Sequence, residues 1–344
     1  MTLKEIAERA GVSTATVSYV LNGSPKIGDE TRCKVEKIIK EEGYHSNFLA
    51  QGLRTNRTYL VGVIVEDITV RHMPYIIDGI NEAADKTNYK IILSNLRLLS
   101  KIESQFEHIS KFQKDIDKAV EPLMSMQVDG IIYVGMHDRM IRDVLHDIDK
   151  PVVYCYCYTY GEGTSVGYSN EKAAFELTNE FIKKGHRRFG IIKGAETSEP
   201  CHLRMKGIQT ALDEAGIHLD PSAVKTGDWK YDTARKVATE LLQQKDNLDA
   251  IIAMNDDMAA GCMDAARALG ISIPQDLSLS GFDNSSIIQY VTPRITTVER
   301  PLHEMGVRSM EILIDKMENK TNEDINITLP CRIVQGDSIR EMKD

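Results

Sequence analysis

The opening twenty-three residues constrain this chain more than any other stretch. Thr2-Leu-Lys-Glu5 is a capping box: the threonine hydroxyl accepts from the amide three residues on, and the glutamate reaches back. Ile6, Ala7 and Ala10 then line one face, and Gly11 stops the helix. Ser13 caps a second helix expected to run to about Leu21, where Asn22-Gly23 ends it. Only a residue or two separates the pair, with the small Ala10, Gly11 and Val12 at the turn, as helix-turn-helix geometry requires. A third helix is expected from near Asp29 to Glu42, with Val35, Ile38 and Ile39 as its apolar stripe and Gly43 as its stop. On the second helix Val17, Val20 and Leu21 face inward. That leaves Thr14, Ala15, Ser18 and Tyr19 for a DNA major groove, where short side chains admit close approach to base edges. Ser13, Thr16 and Asn22 are candidates for phosphates. The plain alternative is three small helices that merely pack together. The order of cap, glycine turn, cap and Ser/Thr-rich helix argues against it.

At 344 residues the chain exceeds one ordinary core, and two or three domains are expected. Hydrophobic content of 42% with 27% charge is that of a globular protein, and no apolar run is long enough to span a bilayer. The amphipathic N-terminus has no secretory h-region, so a cytoplasmic location is expected, with no membrane partner. The net charge of −9 is uneven: residues 1–60 hold nine Lys/Arg against seven Asp/Glu, a balance of +2 that leaves −11 for the rest. A small basic head on an acidic body binds phosphates without the whole protein adhering to nucleic acid. Of the six cysteines, Cys155 and Cys157 sit two apart on an expected strand, facing the same way. A lone C-x-C is a weak metal signal, and packing is the better reading. No cofactor is expected.

The body alternates strands with amphipathic helices. Strands are expected at Leu60–Val65, Lys90–Ser94, Gly130–Val134, Val152–Cys155, Phe189–Lys193, Ala250–Met254 and Leu277–Gly281. Helices are expected near 74–87, 138–147, 171–184, 203–215, 231–244 and 256–268. This order implies parallel sheets covered on both faces, and its length implies two similar lobes. Ligands of such sheets bind beyond the carboxyl ends of the strands, here in a cleft between lobes. Ser100-Lys-Ile-Glu103 is another capping box, and apolar residues recur at helical spacing from Ile102 to Leu123. They predict one helix of six or seven turns over about 100–127, despite Pro122. It is either an extended lobe helix with a solvated charged face or a partner-docking surface. The final helix, Leu302 to Glu318, buries Met305, Met310, Leu313, Ile314 and Met317.

Between head and body lies Tyr44 to Thr58, where Asn47 to Arg54 has the length of two helical turns. A helix that short is unstable alone, and Gly52 weakens it further. Here the likeness becomes specific. Residues 2–23 resemble the headpiece of the LacI/GalR family of bacterial repressors, and residues 44–63 resemble that family's hinge helix and first body strand. Further family-like motifs follow in order: E-K-A-A-F-E-L (171–177), K-K-G-H-R-R-F-G-I-I (183–192), A-L-D-E-A-G-I (211–217), A-M-N-D-D-M-A-A-G (253–261), S-G-F-D-N-S (280–285) and T-P-R-I-T-T-V-E-R-P (292–301). The resemblance covers essentially the whole chain. It implies a helical headpiece over 1–46, a hinge over 47–58 and a periplasmic-binding-protein-like α/β body over 59–344. The N-lobe is expected at about 59–161 and 293–322, and the C-lobe at about 162–292 and 323–344.

The resemblance also implies roles. Leu53 matches the leucine that wedges into the minor groove at the operator centre. Arg204 matches the ligand-gripping arginine. Asn255 and Asp283 follow strands and face the ligand. Trp229 holds a position often occupied by a sugar-stacking aromatic. His72, Met73, Tyr156, Tyr168 and Arg300 complete the expected set. The chain departs from the family at several points. Tyr19 stands where many members have arginine, Gly52 replaces a better helix former, Val70-Arg-His-Met73 stands where N-P-F-F is common, and Tyr156 stands where an aspartate is common. The implied function is a DNA-binding regulator, a repressor of carbohydrate-use genes, switched by a sugar-like effector. It binds double-stranded operator DNA as a homodimer, because paired half-sites need two-fold symmetry. The chain ends without a leucine heptad, so a dimer rather than a coiled-coil tetramer is expected. A non-sugar metabolite or a protein co-effector is the alternative. A solute-binding protein is disfavoured by the headpiece. An enzyme is disfavoured because no nucleophile elbow, P-loop, dinucleotide fingerprint or zinc-protease motif is present.

Overall fold

The computed structural model describes residues 2–21, 24–43, 57–102, 111–142, 144–145, 147–160, 163–244, 248–321 and 323–342. The chain forms two compact units that divide between Tyr59 and Leu60. In the first, α1 (Leu3–Ala10) carries the expected capping box: Thr2 N–H donates to Glu5 Oε2 at 2.7 Å, and Glu5 N–H donates to Thr2 Oγ1 at 3.3 Å. Gly11 takes φ 65°, the left-handed cap that reverses the chain. α2 (Thr14–Leu21) and α3 (Asp29–Glu41) follow. Ile6, Ala7, Ala10, Val17, Val20 and Val35 form the small core, with Leu3, Val12, Leu21, Ile27, Ile38 and Ile39 packed around it. Expected Asn22 and Leu53, and the hinge segment 44–56, lie outside the described residues.

The second unit holds two lobes. The first begins with β1 (Leu60–Val65), α4 (Met73–Asp85), β2 (Lys90–Asn95), α5 (Leu99–Ile102), α6 (Gln113–Ser125) and β3 (Gly130–Val134). It continues through β4 (Met140–Ile141), β5 (Val152–Cys155), β6 (Tyr158–Thr159) and β7 (Thr164–Tyr168). The chain then enters the second lobe with α7 (Asn170–Lys183), β8 (Phe189–Lys193), α8 (Glu199–Glu214), β9 (Val224–Thr226), α9 (Tyr231–Gln244), β10 (Ala250–Ala253), α10 (Asp256–Ala268), β11 (Ser278–Ser280) and β12 (Thr297–Glu299). It returns for α11 (Leu302–Met317) and β13 (Asn326–Leu329), and ends in β14 (Arg332–Val334).

The first sheet runs β13-β7-β5-β3-β1-β2 and the second β11-β10-β8-β9, with every pairing parallel. Their continuous apolar strands, such as Leu60–Val65 and Gly130–Val134, are those of sheets buried on both faces. α4 packs on α11 and α7 on α8, while α6 lies against β1 and β2. β12 and β14 pair antiparallel beside β11.

Four expectations need correction. β7 and β13 pair within the first sheet, so the first lobe extends past residue 161 to Tyr168 and includes Asn326–Leu329. Parallel pairing with β5 adds β7 to that sheet before the chain crosses, and β13 extends it after the chain returns. The helix expected over 138–147 does not form; its described residues are bends, with the two-residue strand β4. Tertiary contacts override helix propensity there. Arg139 is drawn into the interior by Glu66 at 2.7 Å, and Arg139's carbonyl accepts from Tyr158 N–H at 3.1 Å. The long helix over 100–127 is interrupted: Lys111 and Phe112 form a 3₁₀ turn, and α6 starts at Gln113; residues 103–110 lie outside the described residues. Cys155 and Cys157 also do not share one strand face, because Tyr156 between them has φ 61°.

Candidate functional site

In the head, Thr14, Ala15 and Tyr19 stand exposed on one side of α2, and Ser18 is half-buried beside them. Tyr19 is 45% exposed, unusual for so large an apolar ring in a small domain, and it is free to meet a partner. Ser13 Oγ accepts from Thr16 N–H at 3.0 Å and lies 2.9 Å from Thr16 Oγ1, so both hydroxyls sit at the helix start. A helix start gathers unpaired N–H groups and suits a phosphate.

In the body, a cavity of about 420 Å³ lies between the lobes. The ends of β1, β3 and β5 bring Val70 to His72, Met136 to His137, and Tyr156 to one wall. α8 brings Arg204, and the ends of β9, β10 and β11 bring Trp229, Asn255 and Asp283 to the other. Arg300 enters from the crossing into α11. Seven of the nine expected ligand residues therefore line this cavity: His72, Tyr156, Arg204, Trp229, Asn255, Asp283 and Arg300. Met73 does not. It is the first residue of α4, fully buried in the lobe core, because one helical step of about 100° turns it away from His72. Tyr168 does not line the cavity either. It lies behind, stacked on Tyr156 with ring centroids 5.9 Å apart, and its hydroxyl accepts from Arg204 Nη2 at 3.3 Å.

Arg204 is held from all sides. Nε donates to Asn170 Oδ1 at 2.8 Å, Nη1 donates to the Met254 carbonyl, and the guanidinium carbon lies 3.6 Å from the centre of the Phe282 ring. Arg300 Nη1 donates to Tyr156 Oη at 2.5 Å. Both arginines reach one carboxylate oxygen: Asp283 Oδ1 lies 3.1 Å from Arg300 Nε and 3.6 Å from Arg204 Nη2. The closer contact is an ion pair without hydrogen-bond geometry, since neither Arg300 Nε nor Asp283 Oδ1 has a hydrogen-bond partner. Asn255 is a cap as well as a wall residue. Its Oδ1 accepts from Met258 N–H at 2.8 Å, and its Nδ2 donates to the Trp229 carbonyl at 3.2 Å. Gly194 makes room for the indole, for a Cβ there would lie 2.1 Å from Trp229 Cζ2.

Backbone strain concentrates here. Of nine described non-glycine residues with left-handed φ, four line the cavity: Tyr156, Trp229, Asp283 and Asn284. Such conformations persist where surrounding contacts enforce them, commonly at ligand sites.

The electrostatics follow from burial. Burial first, then Arg139, Arg204 and Arg300, push His137 down to about 3. Burial, Arg300 and His137 hold His72 well below the usual imidazole range, so both rings are neutral at neutral pH. Behind the wall, burial and then the charge of Asp283 push Asp256 up to about 7. Burial opposes the Arg300 charge, but Asp283 and the neighbouring phenols outweigh it and hold that guanidinium protonated.

Contacts also join the lobes, one at the cavity and others beyond it. Arg71 Nη1 lies 2.7 Å from both carboxylate oxygens of Asp257. Asn170 Nδ2 donates to Asp138 Oδ2 at 2.6 Å. Glu199 accepts from Met140 N–H at 2.9 Å and from the Tyr158 hydroxyl. Met136, His137 and Arg71 were not expected from the sequence. The strand-end rule applied to β3 would have found the first two. Among the described residues, no group of His, Cys, Asp and Glu is placed to hold a metal ion, and no helix is long and apolar enough to cross a membrane.

Residues 2–47 match the family described as bacterial regulatory proteins, lacI family, and residues 178–339 match the periplasmic binding protein-like domain. The catabolite control protein A of Priestia megaterium is 32% identical over 341 residues, 97% of each chain. A solved complex of the transcriptional regulator CelR with cellobiose is 27% identical, with a TM-score of 0.66 over 98% of this chain and 99% of that one. The Lac repressor dimer bound to operator and the anti-inducer ONPF is 23% identical, with a TM-score of 0.81 over 99% of each chain, and shares the fold.

Proposed function

The chain belongs to the lacI family of bacterial regulatory proteins, and from that premise we propose that it represses carbohydrate-use genes under the control of a sugar-like effector. It is a DNA-binding transcriptional regulator. Thr14, Ala15, Ser18 and Tyr19 read base edges, Ser13, Thr16 and Asn22 hold phosphates, and Leu53 wedges the minor groove at the operator centre. The working form is a cytoplasmic homodimer on two half-sites, and we assign it no catalytic step.

The observation that carries the effector reading is the composition of the cavity wall. Arg204, Trp229, Asn255 and Asp283 come from one lobe, and His72 and Tyr156 from the other. An aromatic face with bidentate polar groups suits a ring bearing hydroxyls. A ligand touching both lobes favours one lobe arrangement by its differential affinity, and so biases the head. The related CelR is solved in complex with cellobiose, which supports a carbohydrate effector for this chain. Selection of bound duplexes from a random library tests the DNA half. A two-fold symmetric consensus is expected, whereas enrichment of no sequence would sink the assignment.

A further inference from the structure

The cavity carries a charge imbalance that bears on what kind of sugar fills it. Three guanidinium groups line it (Arg71, Arg204 and Arg300) against two carboxylates, Asp257 and Asp283. Arg71 and Asp257 cancel each other at the rim at 2.7 Å. The other two arginines are buried, Arg204 at 3% exposure and the Arg300 side chain at 8%, and they share Asp283 alone among the cavity's lining residues. One carboxylate neutralises one of the two. The neighbouring groups offset this only from behind the wall. His72 and His137 are neutral, and Asp256 and Asp138, each pushed up to about 7, are about half ionised at neutral pH and spend their hydrogen bonds on Ser285, Thr297 and Asn170 rather than on the two arginines. A buried cation lacking its counter-charge is costly, and a ligand that supplies the charge relieves that cost.

The unmet hydrogen-bonding capacity has the same sign. Buried cavity atoms without a hydrogen-bond partner include Arg300 Nε, Trp229 Nε1, Ser285 Oγ, His72 Nε2 and Asp283 Oδ1. The first two only donate, the hydroxyl and the imidazole do either, and only Asp283 must accept. Every nitrogen of Arg204 already donates, to Asn170, Met254 and Tyr168, whereas Arg300 Nε donates to none, so Arg300 is the arginine with a wholly unengaged nitrogen to offer.

We propose that the effector is an acidic sugar derivative whose phosphate or carboxylate group docks on Arg300. This rests on the carbohydrate reading above and narrows it. The acid group brings the negative charge that the buried pair lacks and the acceptor that Arg300 Nε lacks. The ring hydroxyls remain for Asp283, Ser285 and the indole N–H.

Trp229 is the single tryptophan of the chain, so its fluorescence reports the cavity directly. The full-length protein is titrated with hexoses and disaccharides, each beside its 6-phosphate and its uronate, and with inorganic phosphate. For at least one sugar, an acidic form is expected to bind at least about tenfold more tightly than its neutral parent. That preference shrinks as salt rises from 0.05 to 0.5 M, and Arg300→Gln brings it towards unity. The tighter of phosphate and uronate identifies the acid group. Neutral parents that bind as tightly as their acidic forms overturn the proposal and leave the carbohydrate reading standing. Inorganic phosphate matching the best sugar phosphate also overturns it. No quenching by any sugar overturns the carbohydrate reading itself.

Discussion

Replacing Asp138 with asparagine tests the electrostatics of the lobe junction. Asp138 is buried, accepts from Asn170 Nδ2 at 2.6 Å across the junction, and through Asn170 is linked to Arg204. Burial, and next the charge of Glu199, push its carboxyl from 3.8 up to about 7, against Asn170 and the two cavity arginines. An acid raised by folding holds its proton in the native state over a range where the unfolded chain has lost it. Its contribution is therefore greatest at the acid end, falls as pH climbs from about 4 to about 7, and levels off above. A shift of roughly three units amounts to about 4 kcal/mol in full, of which about 2.5 kcal/mol falls between pH 5 and pH 8. An amide has the same shape and an oxygen that accepts the Asn170 bond, but it does not ionise. The advantage of Asp138→Asn over the parent is expected to grow by about 2.5 kcal/mol from pH 5 to pH 8. Asp256 titrates in the same direction in both proteins and cancels in the difference. Urea unfolding followed by Trp229 fluorescence at four pH values measures it. If the two proteins lose stability in parallel, the Asp138 carboxyl is not raised and the reasoning fails.

Tyr19→Ala removes the exposed ring on α2 and is expected to weaken specific operator binding by about 1–3 kcal/mol while sparing non-specific binding; equal losses would mean that it reads no base. Leu53→Ala is expected to lose specific operator affinity with effector binding intact, measured by anisotropy and fluorescence quenching. Gly194→Ala puts a methyl 2.1 Å from the Trp229 ring. It is expected to weaken effector binding at least about tenfold by displacing the indole, and calorimetry on the parent and variant would measure this. Gly11→Ala forces a side chain into φ 65° and is expected to destabilise the head by about 1–2 kcal/mol, seen as a lower melting temperature of that unit.

Local signals that act over a few residues were legible in the sequence. The Thr2 capping box and Gly11 gave the head its first helix and turn, and the seven expected body strands fell within a residue or two of their places, while the shorter strands were not anticipated. The cavity lining was also largely legible, because strand ends face the cleft whatever their side chains: Asn255 and Asp283 were placed at it this way. Long-range contacts were not. The stretch 138–147 has helical spacing, yet the buried pair Glu66–Arg139 fixes it as a loop. Glu66 also accepts from Met136 N–H at 2.8 Å, so a carboxylate seventy residues upstream carries that loop against the cavity. Nothing local to His137 announces this. The assignment of β7 and β13 to the first lobe likewise depends on sheet pairing between segments about 160 residues apart.

The central claim is that the cavity and the DNA-binding head are coupled. It is tested most directly by operator affinity with and without a saturating sugar that quenches Trp229, in the parent and in Arg204→Ala. In the parent the sugar is expected to change operator affinity at least about tenfold, and operator to change sugar affinity by the same factor, as linkage requires. Arg204→Ala is expected to bind operator as the parent does and to lose the response. Operator affinity unmoved by a sugar that demonstrably fills the cavity would contradict the account.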